Sequence, residues 1–126
     1  MKTPITTDQA PAAIGPYSQA VRTGNLLFTS GQLPIDPARG KITATTIEDQ
    51  AGQVFKNLAA IAEAAGTSLD NALKTTVFLA DMNDFAAVNA VYADWFKEPF
   101  PARSAFQAAA LPLGAGVEVE AVFSLE

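Results

Sequence analysis

The strongest constraint on the fold is an amphipathic helix that the sequence predicts between residues 45 and 66. Thr45 and Glu48 resemble a capping box at its start, and Gly66 is the expected stop. One apolar stripe follows the helical repeat and comprises Ile47, Ala51, Val54, Phe55, Leu58, Ile61, Ala62 and Ala65. The helix is therefore expected to pack one face against a core.

A second helix is predicted from about Asp84, with Asn83 or Asp84 as its cap. Pro99 and Pro101 end it, because proline cannot continue a helix. Its apolar stripe comprises Phe85, Val88, Tyr92, Trp95 and Phe96. The chain thus offers two helices, each with one apolar face.

Strand patterns surround both helices. Gly31 and Pro34 interrupt or end the second strand of the first pair. The last strand alternates apolar residues with Glu118, Glu120, Val122 and Ser124. The predicted segments are two strands within 17–36 around the turn signal Gly24-Asn25, a turn at 36–41, and strands at 73–80, about 103–110 and 117–125.

This order of elements predicts an α+β fold in which one sheet carries two helices on one face. The opposite face still has apolar residues, among them some of Val21, Phe28 and Val122, and no further helix remains to cover it. A large exposed apolar face usually marks an association surface. We therefore expect a homo-oligomer with closed cyclic symmetry.

The composition excludes several classes of protein. The 126 residues suit one domain, and they include neither histidine nor cysteine, which argues against a structural zinc site and against Ser-His or Cys-His catalysis. A net charge of −5 with eight scattered basic residues disfavours nucleic-acid binding. No apolar run is long enough to span a membrane, and the N-terminus lacks the apolar core of a signal peptide, so a cytoplasmic location is expected.

Arg103 is the residue that most needs an explanation, since it is the only charged residue between Pro99 and Val117. It lies in what is predicted to be a buried strand, and Glu118 and Glu120 follow on the next one. One interpretation is an ion pair with a glutamate that holds a terminal hairpin together. The other uses the forked guanidinium, which binds a small carboxylate through two parallel hydrogen bonds. The residue pattern leaves both open.

Other polar residues have ordinary interpretations beside functional ones. Glu118 fits simple strand alternation with one wet face, and Tyr17 fits a half-buried strand position. Asn89 fits a helix surface, and Gly31 fits a bulge as well as a place where the backbone approaches a ligand.

The whole chain resembles the RidA family, also called YjgF or the reactive-intermediate deaminases. The stretches that carry the resemblance are "AIGPYSQAV" (13–21), "LLFTSGQLPIDPARGKI" (26–42), the segment 53–96 and "PARSAFQAAALPLGAGVEVEAV" (101–122). The resemblance implies a single RidA-like domain over residues 1–126. It also implies a chorismate-mutase-like α+β fold, with one mixed six-stranded sheet and two helices on one face, assembled as a barrel-like homotrimer with active sites between subunits.

The implied activity is hydrolysis of 2-imino acids, such as 2-iminopropanoate and 2-iminobutanoate, to 2-oxo acids and ammonia, with no cofactor and no metal. By motif, Arg103 would clamp the substrate carboxylate and Glu118 would orient or activate water. Arg103 would also favour the ionised form of Glu118 if the two lie within a few ångström. The residues implied to line the substrate pocket are Tyr17, Ser30, Gly31, Asn89 and the backbone of Ala105.

The sequence departs from the family at two places. Many members have cysteine where this chain has Ala105, and the segment between Asn89 and Arg103 is shorter than in the best-known deaminases, so the preferred imine stays open. Three other functions compete with deamination: a non-catalytic trimer that binds small carboxylates, an endoribonuclease or translation inhibitor, and a purely structural or chaperone-like trimer.

Overall fold

The computed structural model describes all 126 residues and contains eight strands and two α-helices. Neither helix is both long and apolar enough to cross a membrane. The elements in chain order are β1 (Thr3–Ile5), β2 (Ala20–Thr23), β3 (Leu26–Thr29), β4 (Ile35–Asp36), β5 (Lys41–Ile42), α1 (Ile47–Ala64), β6 (Ala72–Leu79), α2 (Phe85–Trp95), β7 (Ala102–Gln107) and β8 (Val117–Ser124).

Six strands form one mixed sheet in the order β1-β2-β3-β8-β6-β7. All neighbours are antiparallel except β6 and β7, which are parallel because α2 connects them as a crossover. The two-residue strands β4 and β5 pair separately around the predicted turn at 36–41. The predicted α+β class, the mixed six-stranded sheet and its two helices are confirmed.

Both helices pack on one face of this sheet. Along β8, Val117, Val119 and Phe123 are fully buried on that side, and α1 supplies Phe55 and Leu58 to the same core. Burial of these apolar side chains is the main favourable term in folding. The aromatic rings of Phe55, Tyr92 and Phe96 join α1 to α2.

The other side of the sheet, here called the open face, has no helix over it. Val21, Phe28 and Val122 lie in register across three neighbouring strands on this face. Phe78 and Phe106 pack edge to face on the same side of the sheet, further along β6 and β7. The prediction of an uncovered apolar sheet face is therefore confirmed.

The cap of α1 differs from the predicted one by one residue, whereas α2 begins after Asp84, as predicted, but without a side-chain cap. Thr46, rather than Thr45, begins α1, because its Oγ1 accepts from the Asp49 N–H at 3.1 Å. The carboxylate of Asp81 accepts from the Asn83 N–H in a 3₁₀ turn before α2, so neither Asn83 nor Asp84 caps that helix through its side chain. Gly66 follows α1 with φ of +84°, as its stop role requires.

The last two strands do not form a hairpin, because β6 lies between β7 and β8. β7 is an edge strand and Arg103 is exposed on it, so the predicted burial of this residue is wrong within one chain. The apolar composition of this region does not reflect burial either, since Phe100 is 53% exposed and Leu113 is 70% exposed.

Candidate active site

Arg103 is held by three side chains of α2. Its Nη1 donates to Asn89 Oδ1 at 2.7 Å, and its Cζ lies 4.8 Å from the ring centre of Tyr92 and 5.4 Å from that of Phe85. We call these four residues the arginine cluster. Phe85, Asn89 and Tyr92 meet there because residues three and four apart share one face of a helix.

No acid neutralises Arg103 in this cluster. The two ion pairs in the structure, Arg39–Asp36 and Lys97–Asp70, do not involve it. The alternative in which Arg103 pairs with Glu118 or Glu120 is therefore wrong for the isolated chain. Because Asn89 occupies only one of its five N–H donors, the guanidinium keeps its charge and most of its donors for a ligand. A cavity of about 410 Å³ opens at this cluster, with Phe100 and Pro101 on its wall.

Glu118 lies on the open face against Gly31. A Cβ atom at Gly31 would lie 2.5 Å from Glu118 Oε2 and 3.0 Å from its Cδ, so only glycine leaves room for this carboxyl group. Burial raises the pKa of Glu118, and the negative charge of Glu120 raises it further. Glu118 can therefore hold a proton at a higher pH than an exposed glutamate can.

Ser30 precedes Gly31, and a hydrogen bond joins its segment to the one that contains Tyr17. Ser30 Oγ donates to the Ser18 carbonyl at 2.5 Å, and Tyr17 precedes that residue in the chain. The Tyr17 hydroxyl accepts from the Ile14 N–H at 3.4 Å, and its ring is 53% exposed. Tyr17 and Ser30 line a cavity of about 500 Å³ on the open face. We call Tyr17, Ser30, Gly31 and Glu118 the glutamate cluster.

The two clusters do not meet within one chain. Arg103 pairs in register with Thr75 on the helix side, whereas Glu118 pairs with Phe78 on the open face. The two residues are separated by two strand spacings of about 4.8 Å across the sheet and by three residues of about 3.3 Å along it. Their Cα atoms are therefore on the order of 14 Å apart. The expectation that Arg103 favours the ionised form of Glu118 is not met in one subunit, where the pKa of Glu118 is raised instead.

Ala105 lies two residues beyond Arg103, on the same side of β7, and packs partly against the core. The Ala108 N–H donates to Leu79 of β6 at 2.9 Å. By strand alternation, the backbone groups of residues 103, 105 and 107 then point to the free edge of the sheet. The backbone of Ala105 is therefore available to a ligand at that edge.

Phe85 and Tyr92 were not predicted as site residues. Aromatic residues at helical spacing are typical of a core stripe, and that is how the sequence presents them. Their spacing of four and three residues from Asn89 is the signal that places all three on one helix face.

Known proteins resemble this chain in sequence and in fold. A family model described as Endoribonuclease L-PSP matches residues 7–124. A mouse protein named 2-iminobutanoate/2-iminopropanoate deaminase is 50% identical over 94% of this chain and 87% of its own length.

Two solved structures extend the comparison. A putative endoribonuclease from Thermotoga maritima has a TM-score of 0.97 and 48% identity, covering 100% of this chain and 99% of that one. Escherichia coli TdcF, solved with bound serine, has a TM-score of 0.92 and 42% identity, covering 97% of this chain and 98% of that one.

The fold and the two clusters define an α+β protein in which Arg103, on an edge strand, has no acidic partner. The chain belongs to the RidA (YjgF) family.

Proposed function

We propose that this protein is a hydrolytic deaminase that converts 2-iminopropanoate and 2-iminobutanoate to the corresponding 2-oxo acids and ammonia. Family membership and the name of the mouse relative support the reaction type. Residues 1–126 act as one RidA-like domain in this proposal, because a single sheet contains strands from residue 3 to residue 124. Its expected location is the cytoplasm.

The observation that carries the proposal is that Arg103 is held in place without an acidic partner. Its guanidinium is fixed by Asn89 and two aromatic rings but has no acidic partner. An arginine held in this way suits a ligand carboxylate, because the planar fork matches two carboxylate oxygens. The carboxylate that 2-imino and 2-oxo acids share is such a group.

Hydrolysis of an imine needs one water molecule and proton transfers, but no strong nucleophile. Water adds to the carbon of the C=N bond, whose nitrogen is protonated, while Glu118 takes the proton that the water loses, which gives a neutral carbinolamine. Glu118 then returns this proton to the nitrogen and the C–N bond breaks. Glu118 next accepts the hydroxyl proton as the C=O bond forms and ammonia leaves, and that proton is finally released to the ammonia as ammonium. Because burial raises the pKa of Glu118, its carboxylate is a stronger base than that of an exposed glutamate, which favours its role as the proton acceptor.

The complete site requires two subunits. Arg103, Asn89 and the backbone of Ala105 would come from one chain, and Tyr17, Ser30, Gly31 and Glu118 from its neighbour. Support comes from the separation of the two clusters on opposite sheet faces and from the uncovered apolar face. We propose a homotrimer, and sedimentation equilibrium is expected to give three times the chain mass of 13.2 kDa. A monomer mass would remove both the assembly and the shared site.

Three competing functions predict different outcomes. A carboxylate-binding trimer would bind 2-oxobutanoate without accelerating imine hydrolysis, and a structural trimer would do neither. An endoribonuclease, the activity in the description of the family model, would cleave RNA. The net charge of −5 and the lack of histidine count against RNA cleavage in this chain.

A coupled assay tests the proposal. Threonine dehydratase generates 2-iminobutanoate from threonine in situ, and the release of ammonia and 2-oxobutanoate is followed with and without this protein. We expect a faster release that is saturable in imine and is lost in Arg103→Ala. No acceleration by the wild-type protein, with 2-oxobutanoate binding intact, would favour the binding-only function.

A further inference from the structure

We propose that Tyr92 is the positioning residue for Arg103, and that its ring face rather than its hydroxyl holds the guanidinium in the orientation that binds a carboxylate. This inference rests on the proposed function for the identity of the ligand, but not for the contact itself. The ring of Tyr92 is the nearer of the two that Arg103 contacts, at 4.8 Å from Cζ. That distance lies within the range of a cation–π interaction.

The need for such a residue follows from where Arg103 lies. It is exposed on an edge strand, and a free arginine side chain loses rotamer entropy when it binds a ligand. A carboxylate partner would fix it but would also neutralise it. An aromatic face fixes the guanidinium and leaves its charge and hydrogen-bond donors available.

Tyr92 is itself fixed from three sides. Its ring stacks on Phe96 at 4.3 Å between centres and meets the edge of Phe55 at 5.5 Å. Its hydroxyl is 2.7 Å from Thr75 Oγ1, and Thr75 is fully buried and lies beside Arg103 in the parallel β6–β7 register. The ring is therefore anchored in the core at one end and presented to Arg103 on its face.

The hydroxyl has a separate role in this arrangement. Burial raises the pKa of Tyr92, although the Thr75 hydrogen bond and the charge of Arg103 act in the opposite direction. The side chain is therefore a neutral phenol, and its contact with Arg103 is not an ion pair. The Tyr92 hydroxyl instead serves as the hydrogen-bond partner of the buried Thr75 hydroxyl, which would destabilise the fold if it were left unpaired.

Two substitutions separate the ring from the hydroxyl. Tyr92→Leu removes the aromatic face, whereas Tyr92→Phe keeps it and removes only the bond to Thr75. Phe123→Leu is the matched control, because it removes a buried ring from the same core on β8, away from Arg103. Tyr92→Met replaces Tyr92→Leu if the latter does not fold.

The first measurement needs no ligand. The chain has three arginines, Arg22, Arg39 and Arg103, so ¹⁵N relaxation of their Nε–Hε groups can be assigned singly. We expect Arg103 to be more ordered than the exposed Arg39 in the wild type, in Phe123→Leu and in Tyr92→Phe, and to become mobile in Tyr92→Leu. Equal order of Arg103 in the wild type and in a folded Tyr92→Leu would overturn the proposal.

The second measurement is the affinity for 2-oxobutanoate by calorimetry. We expect Tyr92→Leu to weaken binding about tenfold, within the range of a cation–π contact, and Tyr92→Phe to recover most of that loss. Loss of affinity in both variants alike would assign the effect to the hydroxyl and contradict the proposal. If the wild type binds no 2-oxo acid, the proposed function fails, while the relaxation of Arg103 still decides the role of Tyr92.

Discussion

Gly31→Ala tests the most specific feature of the site, the close approach of Glu118 to a residue without a side chain. The new Cβ would lie 2.5 Å from Glu118 Oε2, whereas an ordinary contact needs at least about 3.4 Å. The carboxyl group must therefore move by roughly 1 Å. A displacement of that size in a reacting group costs on the order of 10²-fold in rate. We expect kcat for imine hydrolysis to fall by about that factor.

The matched control is Gly52→Ala, because Gly52 lies within α1 and a Cβ there meets nothing within 4 Å. This variant is expected to keep its rate and to gain about 1 kcal/mol in unfolding free energy, since alanine is the better helix former. The coupled dehydratase assay measures the rate, and circular dichroism checks the fold of both variants. A folded Gly31→Ala with the wild-type rate would refute the link between this approach and catalysis.

Four further predictions concern single side chains. Arg103→Ala should abolish activity and Arg103→Lys should keep less than about a tenth of it, because an ammonium cannot form two parallel hydrogen bonds; a near-full rate for Lys in the coupled assay would exclude a bidentate clamp. Glu118→Gln should fold normally but lose roughly 10²-fold in rate, the typical effect of losing a general base. Glu120→Gln should keep the wild-type rate at the pH optimum but shift the acid limb of the pH–rate profile to lower pH. The reason is that the negative charge of Glu120 contributes to the raised pKa of Glu118. An unshifted acid limb would contradict this coupling. Thr46→Ala should lower the unfolding free energy by about 1 kcal/mol in urea titration, whereas Thr45→Ala should not.

The raised pKa of Glu118 also sets the sign of a stability effect. A carboxyl group with a higher pKa in the folded state than in the unfolded state binds its proton more tightly when folded. Its contribution to stability is therefore present at low pH and is lost as the pH rises through the pKa of the folded state. Glu118→Gln removes this pH-dependent term, which makes the variant a useful reference for acid titrations.

Local patterns in the sequence were enough to predict the helices and the central strand. The stripe of α1 and the alternation of β8 depend only on near neighbours, and both are confirmed. The cap of α1 was wrong by one residue because Thr45 and Thr46 each have an acidic residue three positions later. The short strand β1 was missed because its three residues include Pro4, which is confined to edge strands.

Non-local pairing could not be predicted from the pattern alone. The insertion of β8 between β3 and β6 joins residues far apart in sequence, and it turned the expected terminal hairpin into an edge strand and a central strand. The same pairing places Arg103 and Glu118 on opposite faces. Strand alternation shows which residues of one strand share a face, but it does not show whether residues of two different strands lie on the same side of the sheet. Only the resemblance to RidA proteins predicted that the site needs two subunits.

Subunit complementation is the most direct test of the central claim that Arg103 and Glu118 act from different chains. Arg103→Ala and Glu118→Gln subunits, each inactive alone, are unfolded together in equal amounts and refolded. In randomly mixed trimers, about a quarter of the shared sites contain both wild-type residues, so about a quarter of the wild-type activity should return. Mixed trimers that native mass spectrometry detects but that recover no activity would contradict the claim.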